Sequence, residues 1–219
     1  MQEWDTYWAK DERPHNYLYD RIAVFYRKYI IKPYLFRYCD RYFKGKSLIL
    51  HAGCGGGQVE EGLDESVTII GLDISLNALA LYCRCHDRSC LVRGDIMAIG
   101  FKDASIDGIY NLGVMEHFSH EEIHVILKEF HRVLKKNGIV ILFWPPRYGL
   151  TVIALRGIHF VLNGMLKKNI ALHPPEPSLL TSRAEAAEIV KKAGFELKET
   201  SFSPRDGFTY QVIVMEKAA

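Results

Sequence analysis

Apolar residues in this chain gather in short β-branched runs separated by helix-length stretches of mixed pattern. The first run, SLILHA (47–52), breaks directly into Gly53-Cys54-Gly55-Gly56-Gly57. A second, VTIIGLDI (67–74), ends around Asp73, and a third, CLVRGD (90–95), ends in Asp95. ASIDGIYNLG (104–113) is the fourth and opens into GVMEHF; GIVILFWPP (138–146) is the fifth. Before the fifth run, a helix is expected to end in LKKNG, with basic residues in its last turn and Asn137-Gly138 as its stop. The first of these runs reads as a buried strand of an α/β sheet. The chain closes with ELKETSF (196–202) and TYQVIVMEK (209–217), two β-rich segments joined by a short connection containing Pro-Arg-Asp-Gly, which predicts an antiparallel hairpin.

A glycine turn at a strand end lets a ligand approach the backbone, because glycine has no Cβ and takes positive φ freely. A helix expected after Gly57 would aim its free N–H groups and positive dipole end at the same ligand. Asp73 lies twenty residues beyond Gly53, at a strand end where an acid can accept both hydroxyls of a ribose. The nicotinamide-binding fingerprint is G-x-G-x-x-G/A, whereas the sixth position here, counted from Gly53, is Gln58; the chain has G-x-G-x-G instead.

At HAGCGGG (51–57), GLDIS (71–75), GDIMAIGF (94–101), SIDGIYNLGVMEHF (105–118) and FHRVLKKNGIVILFWPP (130–146), the chain resembles the class I S-adenosylmethionine (SAM) methyltransferases, in their small-molecule, ubiquinone-biosynthesis-like branch. The resemblance is strong over residues 45–146 and holds in outline over the last forty. It implies an α/β fold: a Rossmann-like, doubly wound, seven-stranded sheet, mostly parallel with a C-terminal antiparallel hairpin, helices on both faces and an N-terminal helical cap. One domain over 1–219 is expected, divided into an aromatic cap (1–44), a SAM-binding core (45–146), an acceptor-lid insert (147–180) and a last helix with the hairpin (181–219).

Carried over by motif, the resemblance implies that Gly53, Cys54, Gly55 and Gly57 bring backbone to the methionine part of SAM. Asp73 would bind the ribose hydroxyls with Ile74 on the adenine, and Asp95 would accept from the adenine amino group with Ile96 beside it. Asn111 and Leu112 would line the cofactor near its amino group. His51 stands where the family usually carries an acid that organises the cofactor's amino-acid end. The implied activity is direct transfer of a methyl group from SAM to a small-molecule, lipid or glycan-precursor acceptor, leaving S-adenosylhomocysteine (SAH) and using no metal. A SAM-binding relative without transfer activity and, less favoured, an NAD(P)-binding oxidoreductase remain the alternatives.

The departures from this core carry the acceptor information. Residues 1–43 hold 13 of the 26 aromatic residues, Trp4, Tyr7, Trp8, Tyr17, Tyr19, Tyr26 and Tyr29 among them. Tyr19 and Tyr26 are the first candidates to face an acceptor pocket. The insert after the fifth strand has no acid from Pro145 through Pro175 and is nearly all apolar from Leu150 to Met165. As a helix it would gather Arg156, His159, Asn163 and Lys167 into one polar stripe. A pocket lid, a dimer face and an interfacial membrane helix over 150–168 are all open readings; a transmembrane span is not, since the run is short and interrupted. Arg147 and Arg156 are candidates for acceptor contact.

His117, following the fourth strand, is the candidate general base, because a neutral imidazole takes a proton near pH 7; His173, in an LHPPEP loop, is a weaker one. A helix-start role for His117 is an equal alternative. Lys and Arg number 28 against 26 acids, a formal charge of +2 with no basic tract on a nucleic-acid motif, so nucleic acid is not an expected partner. Charges from Glu3 onward leave no secretory leader pattern, and five irregularly spaced cysteines suggest reduced thiols, which points to the cytoplasm. Cys83, Cys85 and Cys90 lack a fourth ligand at zinc-like spacing.

Overall fold

The computed structural model describes residues 2–9, 22, 24–46, 48–59, 67–85, 90–165, 167 and 174–218. Seven strands, β1 (Leu48–Ala52), β2 (Thr68–Asp73), β3 (Cys90–Arg93), β4 (Ile106–Leu112), β5 (Leu134–Trp144), β6 (Phe195–Ser201) and β7 (Gln211–Lys217), form one sheet in the order β3-β2-β1-β4-β5-β7-β6. The pairs among β1 to β5 are parallel, and β7 runs antiparallel to both β5 and β6. The order reverses at β1/β4, where the chain crosses from one half of the sheet to the other, and ligands of such sheets bind beyond the carboxyl ends of the strands at that point.

Alternation along the central strands explains why both faces are covered. Ile139, Ile141 and Phe143 of β5 pack with Val212 and Val214 of β7 into one core, while Val140, Leu142 and Trp144 pack with Ile213 and Met215 into the other. The first core is closed by α2 (Lys32–Tyr42), which contributes Tyr34, Leu35, Tyr38 and Cys39 and follows a π-helical turn at Arg27–Ile31. The second is closed by α4 (His120–Val133) and α6 (Arg183–Lys192), through Ile123, Ile126, Leu127, Phe130, Ala186 and Val190. A small third cluster, Cys54, Leu79 and Tyr82, seats α3 (Leu76–Cys85) against the glycine turn. The remaining helices are α1 (Gln2–Ala9) and α5 (Leu150–His159), the latter continued by a π-helical turn at Phe160–Met165.

α4 starts at Ser119, whose side chain accepts from Glu122 N while the Glu122 carboxylate accepts from Ser119 N, a complete capping box. Its end differs from the sequence expectation. The helix stops at Val133, and Leu134, with ψ 138° and no exposure, already belongs to β5. The KKNG segment is a bulge in that strand: the register moves from Ile106↔Leu134 to Gly108↔Ile139, with Asn137 at φ 59° taking the left-handed turn. Burying Leu134 outweighs one more helical turn of exposed lysines, and Lys135 pairs with Asp107 at 2.8 Å instead.

The insert forms a helix as expected, but the polar stripe does not run its length. The π-helical turn changes the periodicity after His159, the helix ends at Met165, and Lys167 lies beyond it at φ 48°. Among the described residues no helix is long and apolar enough to cross a membrane.

Candidate active site

A cavity of about 600 Å³ opens beyond the carboxyl ends of the parallel strands. Strands lie about 4.8 Å apart, so a site reaching from β3 across to β7 spans roughly 24 Å, enough for a nucleoside with its amino-acid arm and a second small molecule.

The β3–β2–β1 end is built by the glycine turn. Gly53, Gly55 and Gly57 have φ of 74°, 52° and 67°, and the N–H groups of Gly53 and Cys54 donate to Leu72 O. A Cβ at Gly57 would overlap the Tyr82 ring, so glycine is required there by space as well as by φ. Asp73 holds the turn through Gly55 N–H on Oδ2 and takes Ser75 N–H on Oδ1, both at 2.9 Å. Burial pushes its carboxyl above the ordinary range, against the pull of those N–H groups and of His51. Asp95 caps the loop after β3 by accepting from Met97 N at 2.8 Å. Ile74 and Ile96 line the cavity beside these acids.

α1 lies across this end. Trp8 packs on Gly55 and Gly56, and Asp5 accepts from Ser75 Oγ at 2.7 Å and takes Asn77 Nδ2 on its carbonyl. Across the mouth, Arg27 donates to Gln58 Oε1 at 2.8 Å.

The β4–β5–β7 end is different in kind. The 3-10 turn Met115–His117 carries Glu116 and His117 into the lining, opposite Tyr210 and Thr209 of the hairpin and Tyr26. His117 Nδ1 bonds to the Pro175 carbonyl at 2.9 Å; a carbonyl only accepts, so in the neutral ring Nδ1 carries the proton and Nε2 the lone pair. The Trp4 ring meets His117 edge-on at 5.2 Å. Tyr26 bonds to Thr209 Oγ1 and the Asp206 carbonyl, which ties the π-helical turn before α2 to the hairpin connection. Thr151, Val152 and Leu155 of α5 close the side.

Most of the residues singled out from the sequence therefore meet in one cavity: His51, Gly53, Cys54, Gly55, Gly57, Asp73, Ile74, Asp95, Ile96, Leu112, His117 and Tyr26 all line it. His51 is buried and stacks on Tyr110 at 4.3 Å. Others stand elsewhere. Asn111 is fully buried behind the lining, its Nδ2 donating to Ala52 O at 2.8 Å, and so joins β4 to the end of β1. Arg147 and Arg156 are exposed and absent from the lining, because α5 turns Thr151, Val152 and Leu155 inward. Tyr19 and His173 lie outside the described residues, as does part of the segment after Gly57 where a helix was expected. Trp4, Trp8, Arg27, Glu116 and Tyr210 line the cavity without having been given a role from the sequence. Among the described residues no group of three or more His, Cys, Asp or Glu could hold a metal ion.

Comparison with known proteins bears on what this cavity binds. A model of the methyltransferase domain family matches residues 50–142, from β1 to β5. The chain is 27% identical over 218 residues, 97% of its own length and 85% of the other's, to a ubiquinone biosynthesis O-methyltransferase of Pelagibacter ubique. It is 32% identical over 111 residues to a protein of Encephalitozoon cuniculi that carries a methyltransferase name, a match spanning 49% of each chain. The chain thus spans about half the length of that relative. Among solved structures, the fold matches magnesium protoporphyrin IX methyltransferase from Synechocystis with bound SAH at a TM-score of 0.63 and 18% identity, covering 86% of this chain and 82% of that one. It also matches the Burkholderia thailandensis 1,6-didemethyltoxoflavin-N1-methyltransferase at 0.58 and 17%, over 80% and 73%. At these identities the two likenesses speak for the fold.

Proposed function

The chain belongs to the class I SAM-dependent methyltransferases, and we propose that it moves a methyl group from SAM to a small, largely apolar acceptor. The observation that carries this reading is a single cavity with two unlike ends: a glycine turn with half-buried acids at one, aromatic and aliphatic side chains around a polar patch at the other. When bound, SAM supplies a sulfonium-activated methyl group, so the protein's part is to orient the acceptor and exclude water.

Asp73 would take the ribose hydroxyls with the acceptor capacity its oxygens keep beyond Gly55 and Ser75. The backbone of Gly53 to Gly57 would meet the methionine arm, and Ile74, Asp95 and Ile96 the adenine. Leu112 would border the amino group. Trp4 and Trp8 would roof the site and shed water from it. His117, tied to Pro175, is suited to hold the 174–178 segment against the β4 turn. Methyl-labelled SAM incubated with protein and a lipid-soluble cell extract should put label into a small organic product. Label confined to protein or nucleic acid would contradict the reading.

The outer side of the insert supports a membrane as the source of that acceptor. Leu150, Ile153, Ile158, Phe160, Val161 and Met165 are exposed there, Arg156 is exposed among them and Lys167 after them, and no acid lies between Pro145 and Pro175. An apolar face with cations at its border complements an anionic lipid surface. Anionic liposomes should therefore sediment the protein at low salt, and release it as salt rises and screens the charges. Failure to sediment at low salt, with a dimer in solution, would assign this face to a second copy of the chain.

A further inference from the structure

We propose that Glu116 is the group that binds the acceptor and takes its proton, so that the methylated atom is an oxygen or nitrogen bearing hydrogen rather than a carbon. The proposal rests on the methyl-transfer reading above. Glu116 is 5% exposed yet lines the cavity, and its Oε2 has no hydrogen-bond partner among the described residues. Buried carboxyls whose role is structural are satisfied by the fold; one left open toward a cavity awaits a donor from a ligand.

Its position is fixed from outside. Ser178 N donates to the Glu116 carbonyl at 3.3 Å, and the Ser178 hydroxyl bonds to the Phe118 carbonyl, so the main chain of the 3-10 turn is held in place. Gly113, at φ 66°, clears the space before it: a Cβ there would lie 3.4 Å from Glu116 Oε1 and 3.2 Å from the Tyr210 hydroxyl. The carboxyl and the hydroxyl thus face one gap from opposite elements. Val114, two residues earlier, touches Gly53, so a ligand seated on the glycine turn comes to the border of the Glu116 end.

The charged and titratable groups facing this end are Glu176 beside it, Tyr210 and Asp206 of the hairpin, Tyr26 and Arg27 at the π-helical turn before α2, His51 of β1, Asp73 beyond it, and His117 next in sequence. Burial first, and Glu176 second, push the Glu116 pKa up to about 8. The acid is therefore mostly protonated at pH 7 with the cavity empty. A sulfonium seated on the adjoining turn favours the carboxylate, whereas the neutral thioether of SAH does not. In the step itself the acceptor's heteroatom forms its bond to the methyl carbon, and the carbon–sulfur bond breaks with its electron pair staying on sulfur. The acceptor's proton passes to the Glu116 carboxylate. A cation and an anion become two neutral groups.

Calorimetric titration of the full chain with SAM and with SAH, at pH 7.5 in buffers of different ionisation enthalpy, counts the protons released on binding. SAM should release on the order of half a proton more than SAH, from the fraction of a group of this pKa that remains protonated at that pH. The difference should vanish in Glu116→Gln while SAH affinity stays within about threefold. No difference in the parent, a difference that survives in Glu116→Gln, or one lost only in His117→Ala would each overturn the proposal. Binding of neither ligand would instead sink the methyl-transfer reading itself, and this proposal with it. Melting gives a check without ligand. Between pH 4.5 and about 8 the unfolded chain loses the Glu116 proton and the folded chain keeps it, so this group's effect is to lower stability as pH rises. Glu116→Gln should accordingly melt higher than the parent at pH 8 and not at pH 4.5; equal melting at both would overturn the buried-acid premise.

Discussion

Replacing Asp73 by alanine is expected to weaken SAH binding by roughly 10²-fold or more, since the two charge-assisted hydrogen bonds proposed to the ribose, each worth about 1.5 to 3 kcal/mol, would be lost together. The same substitution removes the acceptor of Gly55 N–H and Ser75 N–H, so the glycine turn loses its tether while its ligand loses its partner. Asp73→Asn separates the two effects. Its single carbonyl oxygen can keep one of these bonds, and it should retain an intermediate affinity. A loss below threefold in the alanine variant would mean that the carboxyl serves the turn alone.

The largest effect on stability is expected at Trp144. This side chain is 1% exposed at the end of β5, packs in the core under α4 and α6, and donates from Nε1 to Ser178 O at 2.8 Å. Trp144→Ala should cost about 3 to 5 kcal/mol, from lost burial plus a cavity the surrounding core cannot refill. Against a typical total of about 5 to 15 kcal/mol this brings the chain near its threshold, readable as a fall of on the order of 10 °C in melting temperature. Trp144→Phe should cost about 1 to 3 kcal/mol, the penalty of an unpaired buried carbonyl at Ser178. Because Ser178 also holds the Glu116 turn, the phenylalanine variant should blunt SAM-dependent proton release while leaving SAH affinity near that of the parent. Chemical denaturation of the three proteins checks the order.

The strands were readable because burial on both sheet faces leaves continuous apolar runs, and the hairpin because its two segments flank a turn rich in Pro, Asp and Gly. The end of α4 was not. Leu134 suits a helix or a strand equally, and only the tertiary gain of burying it decides for the strand. Asn111, given its place by motif, stands behind the lining. Its amide satisfies a backbone carbonyl at the end of β1, a need that a motif match alone does not reveal. In the Glu116-His117 pair, histidine draws attention because its ordinary pKa is near neutral. The depth of burial that brings the glutamic acid into the same range is a property of the folded chain, set by Ser178, Tyr210 and the hairpin. The aromatic cap was legible as a cap but not in detail: Trp4 and Trp8 reach the site because α1 docks on α3 through Asp5, Ser75 and Asn77.

Which nucleoside the cavity takes decides between methyl transfer and its alternatives. Titration of the purified chain with SAH and, separately, with NADH should give a dissociation constant in the low-micromolar region for SAH, on the order of usual enzyme substrates, and no heat of binding for NADH. NADH binding in place of SAH, or binding of neither, would contradict the methyl-transfer reading.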